Sequence, residues 1–129
     1  MATLFTKIIN GDIPCFQVAE NDRFLAFLDI NPLVKGHVLV IPKIEVDYIF
    51  DLEDDILSEL ILFSKFVSKK IKLAFPCEKI GLTVIGLEVP HAHIHLVPIN
   101  SIHDMNFSNQ KLKLNSTELE VIANKILTA

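Results

Sequence analysis

The sequence lacks the features of a membrane protein and of a polyanion-binding protein. Hydrophobic residues make up 50% of the 129 residues. Charged residues nevertheless interrupt every apolar stretch before it reaches the roughly 18 residues that a transmembrane helix needs. Acidic residues outnumber basic ones by 16 to 12, and the net charge is −4. This balance argues against a nucleic-acid-binding surface, although it leaves room for one local phosphate site.

Cysteine is scarce, and no export signal is visible. Cys15 and Cys77 are the only cysteines, and they form no Cys-x-x-Cys pair. The N-terminal residues 1–14 contain no basic segment followed by a long apolar one, as a secretory signal would. We therefore expect a cytoplasmic protein with reduced thiols.

Internal repeats, low-complexity segments and linkers rich in Gly, Ser or Pro are also absent. The length suits one globular domain that spans residues 1–129. Because no membrane span takes up the apolar residues, we expect them to fill a large core or a subunit interface.

The apolar pattern and the turn residues predict an α+β fold. The order of elements is strands, helix, strands, helix, without regular βαβ alternation, which favours an antiparallel sheet. Asp51 is the expected N-cap of the long helix, and Glu118 is placed for a capping box in the last one. The predicted helices cover residues 3–9, 53–75 and a segment that begins near Asn115, and the predicted strands cover residues 16–20, 23–29, 36–41, 80–86 and 89–98.

Three of the five histidines form the pattern His91-Ala92-His93-Ile94-His95. Alternate side chains of a strand share a face, so we expect the three imidazoles on one face and the residues between them in the core. Each imidazole carries a donor and an acceptor that must be satisfied. Three interpretations fit this pattern: a solvated strand face, a metal site completed by a further ligand, or a nucleophilic imidazole oriented by its neighbours.

The segment around these histidines resembles the signature of the histidine triad (HIT) superfamily, in which His-x-His-x-His is followed by two apolar residues. Other segments resemble the Hint-like branch in the same order. The resemblance covers about residues 3–100, so residues 101–129 are expected to be a helical extension of a single HIT domain. The matching segments are Val89–Pro98, Thr3–Ile9, Ile13-Pro14, Phe24–Pro32 and Gly36–Lys43, the last reading GHVLVIPK.

The resemblance implies a HIT-like fold with a five-stranded antiparallel sheet and two main helices. It also implies a hydrolase or transferase that binds a purine nucleotide, resembling AMP, and acts at its α-phosphate through a covalent nucleotidyl-histidine. No metal and no other cofactor are implied. Two alternatives stay open: a nucleotide-binding or scaffold protein with weak or no catalysis, and a metal-dependent hydrolase.

Site residues follow from the resemblance position by position. His93 would be the nucleophile, His95 would contact the phosphate and the leaving group, and His91 and His37 would orient and polarise the site. Asp29 resembles the acidic residue that holds the ribose hydroxyls. The expected apolar walls of the base pocket are Leu4, Phe5, Ile8, Ile13, Phe27 and Ile30.

The loop before the triad departs from the family pattern. Residues 83–90 form a shorter run, and Ile85 and Leu87 stand where polar residues are usual. Glu88 stands where a phosphate-facing residue often lies, and a carboxylate repels a phosphate. Glu88 therefore points away, or the leaving group differs from the usual one, or activity is low. Thr3 and Thr6 occupy the places of zinc-binding cysteines in some relatives, so we expect no structural zinc.

The long predicted helix also has apolar side chains beside its main stripe, at Leu57, Ile61 and Leu62. Its apolar surface is therefore wider than a one-sided helix requires. We expect a homodimer that joins through this helix and an edge strand, as the resemblance suggests.

Overall fold

A five-stranded antiparallel sheet with the strand order β1-β2-β3-β5-β4 forms the centre of the computed structural model, which describes residues 2–129. The predicted fold class is confirmed, with a short N-terminal helix beside the two main ones. The strands are β1 (Gln17–Glu20), β2 (Phe24–Leu28), β3 (Val38–Pro42), β4 (Lys79–Thr83) and β5 (Ile94–Ile99). The helices are α1 (Leu4–Ile9), α2 (Asp54–Ala74) and α3 (Ser116–Leu127), and two short 3-10 turns cover Ile49–Asp51 and Ile102–Met105.

Both faces of the sheet are covered, which explains why β2 and β3 are buried along their whole length. Alternate residues of these strands belong to two separate apolar clusters, as the two-residue period of a strand requires. On one face, Val38 and Val40 pack in the larger cluster with α2 and α3. On the other, Phe27, Leu39 and Ile41 pack with Phe5 of α1. The second face carries the candidate functional site.

The ends of the helices follow from local capping, with one correction. The side chain of Asn115 accepts a hydrogen bond from the Glu118 amide at 2.8 Å, and the Glu118 carboxylate accepts one from the Asn115 amide at 3.1 Å, so the capping box of α3 is confirmed. The expectation that Asp51 caps α2 is wrong. Asp51 ends a 3-10 turn, and Glu53 is the N-cap, without a side-chain hydrogen bond.

Helix α2 has a buried side and an apolar exposed side. Leu60, Val67 and Ile71 are fully buried against the sheet. Among residues 2–129, no helix is both long enough and apolar enough to cross a membrane. The exposed apolar side chains on the outer side of α2 are Leu62, Phe66 and Leu73, which are 63%, 54% and 74% exposed.

Strand β5 begins later than the sequence suggests, at Ile94 and not at residue 89. The amide of Ala92 donates to the carbonyl of Val46 at 2.7 Å, and the amide of His91 donates to the carbonyl of Val89 at 2.8 Å. These bonds hold the backbone of residues 91–93 against the preceding loops. The prediction that residues 89–98 form one strand is therefore wrong at its first half. Strand β4 likewise ends at Thr83.

Helix α3 packs into the same apolar core as α2 and the sheet. Leu119, Ile122 and Ile126 lie in the larger apolar cluster with residues of α2 and β1. The Lys125 ammonium lies 4.8 Å from the centre of the Phe75 ring, a distance typical of a cation–π contact. One side of α3 is thus packed into the fold.

Two adjacent residues of α3 test this packing. Ile122 is 5% exposed, whereas Val121 is 63% exposed. Ile122→Ala should lower the free energy of unfolding by about 2–5 kcal/mol, because it leaves a cavity in the core. Val121→Ala should change it by less than about 0.5 kcal/mol. Urea unfolding measures both values, and equal effects would mean that α3 is not docked as the structure has it.

Candidate active site

A cavity of about 560 Å³ opens on the side of the sheet that carries α1. It lies between α1, strands β2 and β3, the loop before β5 and a segment that follows β5. Ten of the twelve site residues expected from the sequence line it. These ten are Leu4, Phe5, Ile8, Ile13, Phe27, Asp29, Ile30, Glu88, His93 and His95, whereas His37 and His91 lie behind the cavity wall.

A backbone carbonyl determines which ring nitrogen of His93 carries the proton. Its Nδ1 lies 2.8 Å from the carbonyl oxygen of His91, and because a carbonyl only accepts, Nδ1 carries the proton. In the neutral ring Nε2 therefore has a free lone pair. The ring is fixed between Phe5 and His95, each with its ring centre 5.0 Å away. This arrangement suits an imidazole that acts as a nucleophile.

A backbone amide likewise determines which ring nitrogens of His37 and His95 carry their protons. The amide of Leu33 donates to Nδ1 of His37 at 3.0 Å, so the proton of His37 lies on Nε2. That Nε2 lies 3.0 Å from Nδ1 of His95 and donates to it. His95 therefore carries its own proton on Nε2. The result is one hydrogen-bond donor in the cavity beside the unprotonated nitrogen of His93.

His91 belongs to a hydrogen-bond network beneath the cavity. Its Nε2 donates to the carbonyl of Pro42 at 2.9 Å, and its Nδ1 accepts from the hydroxyl of Thr3 at 3.0 Å. The carboxylate of Glu45 accepts from the Thr3 amide and from the Thr6 hydroxyl, both at 2.7 Å. His91 is completely buried, and it orients the site through its carbonyl group.

The expectation that three imidazoles share one strand face is wrong for one of them. His93 and His95 face the cavity together, but His91 is turned into the fold. The reason is the backbone path at Ala92, which bonds to Val46 and not to a neighbouring strand. Of the residues between the histidines, Ala92 and Ile94 are buried in the core as predicted.

Burial keeps the three supporting imidazoles uncharged. It lowers the pKa of His37 to about 3, and the electrostatic interactions with His95 and Lys111 act in the same direction. Burial also lowers the pKa of His95 to about 4, with a further contribution from His93. The pKa of His91 is lowered, again mainly by burial. Neutral rings agree with the donor and acceptor positions that the hydrogen bonds require.

Asp29 lies half-buried at the end of β2, beside the paired imidazoles. Its Oδ2 lies 3.6 Å from Nε2 of His37, and its Oδ1 accepts from the Asn31 amide at 2.9 Å. Burial raises the pKa of its carboxyl group, whereas the hydrogen bond from Asn31 and the electrostatic interactions with His93 and Lys111 lower it. Asp29 thus offers a carboxylate oxygen at the cavity wall.

Glu88 does not point away from the cavity. It is exposed, lines the opening, and its charge raises the pKa of Asp29. Ile85 and Leu87 line the same opening. The loop before β5 thus presents apolar and acidic side chains to the cavity, and Gly86 turns it with a φ of +69°.

Sequence reasoning missed several cavity residues, among them Phe107 and Lys111. The ring of Phe107 packs edge-on against His95, with ring centres 4.8 Å apart. Lys111 lines the cavity next to it. Both lie beyond the family motif, in a segment with no helical or strand period, so no local pattern connects them with the histidines.

One group of side chains within residues 2–129 has the proximity needed to hold a metal ion. Ligand atoms of Asp29, His37 and His95 lie within 4.8 Å of one another. However, the Leu33 amide occupies Nδ1 of His37, so Nε2 of a neutral His37 carries a proton and cannot bind a metal. The group is better explained as a hydrogen-bonded relay. It also differs from the set of His91, His93 and His95 considered from the sequence.

Known proteins match both the sequence and the fold. The model of the HIT domain family matches residues 10–102. An uncharacterised HIT-like protein of Methanocaldococcus jannaschii is 41% identical over 105 residues, which cover 74% of this chain and 77% of that protein. The adenosine 5′-monophosphoramidase of Schizosaccharomyces pombe is 37% identical over 99 residues, which cover 76% of this chain and 74% of that protein. The structure of a Hit-like protein of Bartonella henselae superposes with a TM-score of 0.84 at 29% sequence identity. The superposition covers 98% of this chain and 95% of that one.

The imidazoles of His37 and His95 should stay uncharged in the folded chain until the pH falls towards their pKa values of about 3 and about 4. The unfolded chain takes up these protons near pH 6.5. The free energy of unfolding should therefore fall below about pH 6.5, by up to about 1.4 kcal/mol per pH unit for each ring. An NMR titration of the ring signals, assigned with single His→Gln variants, measures protonation directly. A midpoint near pH 6.5 for either ring would contradict the lowered pKa of that ring.

Proposed function

This chain belongs to the HIT domain family, and on that basis we propose that it hydrolyses or transfers a purine nucleotide derivative at its α-phosphate. The substrate class is a nucleoside phosphoramidate or a dinucleoside polyphosphate. One observation carries the proposal: His93 offers an unprotonated Nε2 beside the protonated Nε2 of His95, in one cavity. A relative named as an adenosine 5′-monophosphoramidase supports the same reaction class.

In the proposed reaction, Nε2 of His93 attacks the α-phosphorus, and the bond from phosphorus to the leaving group breaks. The product is a nucleotidyl-histidine. Water then attacks the phosphorus, the bond to His93 breaks, and the nucleotide is released. For a phosphoramidate, the departing amine takes up a proton from solvent in the first step. In the second step the attacking water gives a hydroxyl group to the phosphorus and releases a proton to solvent, so the sum of the two steps is hydrolysis. The Nε2–H of His95 donates to the phosphate or the leaving group and stabilises the charge that develops.

The shape of the cavity supports a nucleoside as the remainder of the substrate. Its apolar walls suit a flat purine base, and the carboxylate of Asp29 suits the ribose hydroxyls as an acceptor. Phe5 and Phe27, whose ring centres lie 5.6 Å apart, form the floor beside the histidines. Binding the nucleoside would hold the phosphate in line for attack, which lowers the entropic part of the barrier.

A nucleotide-binding protein with weak catalysis is the second candidate. It is favoured by Glu88, which brings a carboxylate to the opening of a phosphate site and repels an anionic substrate. Calorimetry that shows AMP binding, with no turnover in a panel of phosphoramidates and dinucleoside polyphosphates, would favour this candidate.

We also propose that the protein acts in the cytoplasm on small nucleotides and not on nucleic acid. Cys15 and Cys77 are both free thiols, which suits a reducing compartment. The net charge of −4 suits a confined phosphate site better than a polyanion-binding surface.

Replacing the proposed nucleophile should abolish turnover and leave binding. His93→Gly should lower the kcat for an adenosine phosphoramidate by at least about 10³-fold, because it removes the ring nitrogen that forms the covalent bond. AMP binding should remain measurable by calorimetry. His103→Ala, which removes an exposed imidazole outside the cavity, is the matched control and should keep wild-type turnover.

Intact-mass spectrometry of wild type, mixed with substrate and quenched in alkali, should show the mass of one added nucleotidyl group. Wild-type turnover in the His93→Gly chain would exclude His93 as the nucleophile.

A homodimer is the assembly we propose, with α2 and the edge strand β4 as its interface. Leu62, Phe66 and Leu73 form an exposed apolar stripe on α2. Leu82 of β4 is 50% exposed, and it lies on the same side of the sheet as Ile80, which packs against the core under α2. A second copy would cover both surfaces and extend the sheet across the interface.

Light scattering at micromolar concentration should give twice the chain mass of 14.5 kDa. Phe66→Glu should give the monomer mass, because it places a charge in the proposed apolar interface. Val121→Glu adds the same charge on the exposed side of α3 and should leave the dimer intact. A monomeric wild type would refute the proposed assembly.

A further inference from the structure

Lys111 is the one lysine or arginine among the described residues that line the cavity. The cavity also contains the two carboxylates of Asp29 and Glu88. The segment that carries Lys111 follows β5 and folds back over the histidines, with the Phe107 ring against His95. The ammonium group therefore reaches the site from a part of the chain outside the matched HIT domain, which ends at residue 102.

The position of the ammonium is fixed by the backbone around it. Its Nζ donates to the carbonyl oxygen of Phe107 and, at 3.1 Å, to that of Asn109. The amide of Leu112 donates to the carbonyl of Pro32 at 2.9 Å, which ties this segment to the loop after Asp29. An ammonium has three donors. Two are used by the chain itself, and the third remains for a ligand.

The site needs a positive charge that its histidines do not supply. The pKa values of His37 and His95, about 3 and about 4, leave both rings neutral at pH 7. The α-phosphate carries negative charge, and its oxygens gain more as the nucleophile approaches. Glu88 adds unfavourable charge at the opening. Lys111 lies in the cavity wall, and its positive charge offsets the negative charges of the phosphate and of Glu88.

We propose that Lys111 binds the α-phosphate of the substrate and supplies the positive charge of this phosphate site. This inference rests on the proposed function and extends it, because it assigns an anion-binding residue to the C-terminal segment. It also explains how the site can accept a phosphate although the loop before β5 offers Ile85, Leu87 and Glu88 in place of polar side chains.

The test compares a charged ligand with an uncharged one. Lys111→Met should weaken the binding of AMP roughly 10-fold or more in calorimetry, because a charge-assisted hydrogen bond is lost. Adenosine, which has no phosphate, should bind as it does to wild type. Lys111→Arg should keep most of the AMP affinity. Lys113→Met removes the neighbouring exposed lysine, which does not line the cavity, and should change neither affinity.

Added salt provides a second readout. It should weaken AMP binding to wild type more than to Lys111→Met, because the charge pair is screened. If methionine at this position impairs folding, Lys111→Gln removes the charge and keeps a polar group.

The possible outcomes separate this inference from the proposed function. AMP affinity that survives the loss of the Lys111 charge would overturn the inference alone. Equal losses for AMP and adenosine would also overturn it, since Lys111 would then act only on the shape of the cavity. A wild-type chain that binds neither AMP nor adenosine would overturn the proposed function together with the assignment of Lys111.

Discussion

The hydrogen bond from the Leu33 amide to Nδ1 of His37 determines how the site is built. A backbone amide can only donate, so it forces the proton of a buried imidazole onto the other nitrogen. That proton points to His95 at 3.0 Å, and His95 in turn presents a donor to the cavity. A carbonyl has the opposite effect on His93, whose Nδ1 must donate to it at 2.8 Å. Two backbone groups of opposite polarity thus give two neighbouring histidines opposite functions.

This arrangement depends on burial as much as on hydrogen bonding. Every buried polar side-chain atom among residues 2–129 has a hydrogen-bond partner, so no buried atom of the site is left unpaired where it would destabilise the fold. The same burial keeps the supporting imidazoles neutral, since a charge in an apolar layer is costly. The neutral network orients the ring of His93 and suits the positioning of a nucleophile. It does not neutralise a phosphate, and in the proposed function that task falls to Lys111.

The two faces of the sheet carry different parts of the molecule, the main apolar core on one and the candidate site on the other. On one face, α2 and α3 close the larger apolar cluster. On the other, α1 and the strands leave a cavity with apolar walls and a polar end at the histidines. The network of Thr3, Thr6 and Glu45 connects the first turn of α1 to His91, so the helix that forms one cavity wall also supports the histidine behind it.

The local pattern of the sequence was sufficient to predict the α+β class and most bounds of the strands and helices within a few residues, because these follow from apolar periods and caps. Ten of the residues that line the cavity were expected from the resemblance to the HIT family and not from the local pattern. The proton positions of the histidines and the burial of His91 did not follow, because they depend on contacts between distant residues, such as Thr3 with His91 and Val46 with Ala92. The presence of Phe107 and Lys111 in the cavity was also decided by the tertiary structure alone. The chain after β5 has no period that points to its path, and it is held by backbone bonds such as that from Leu112 to Pro32.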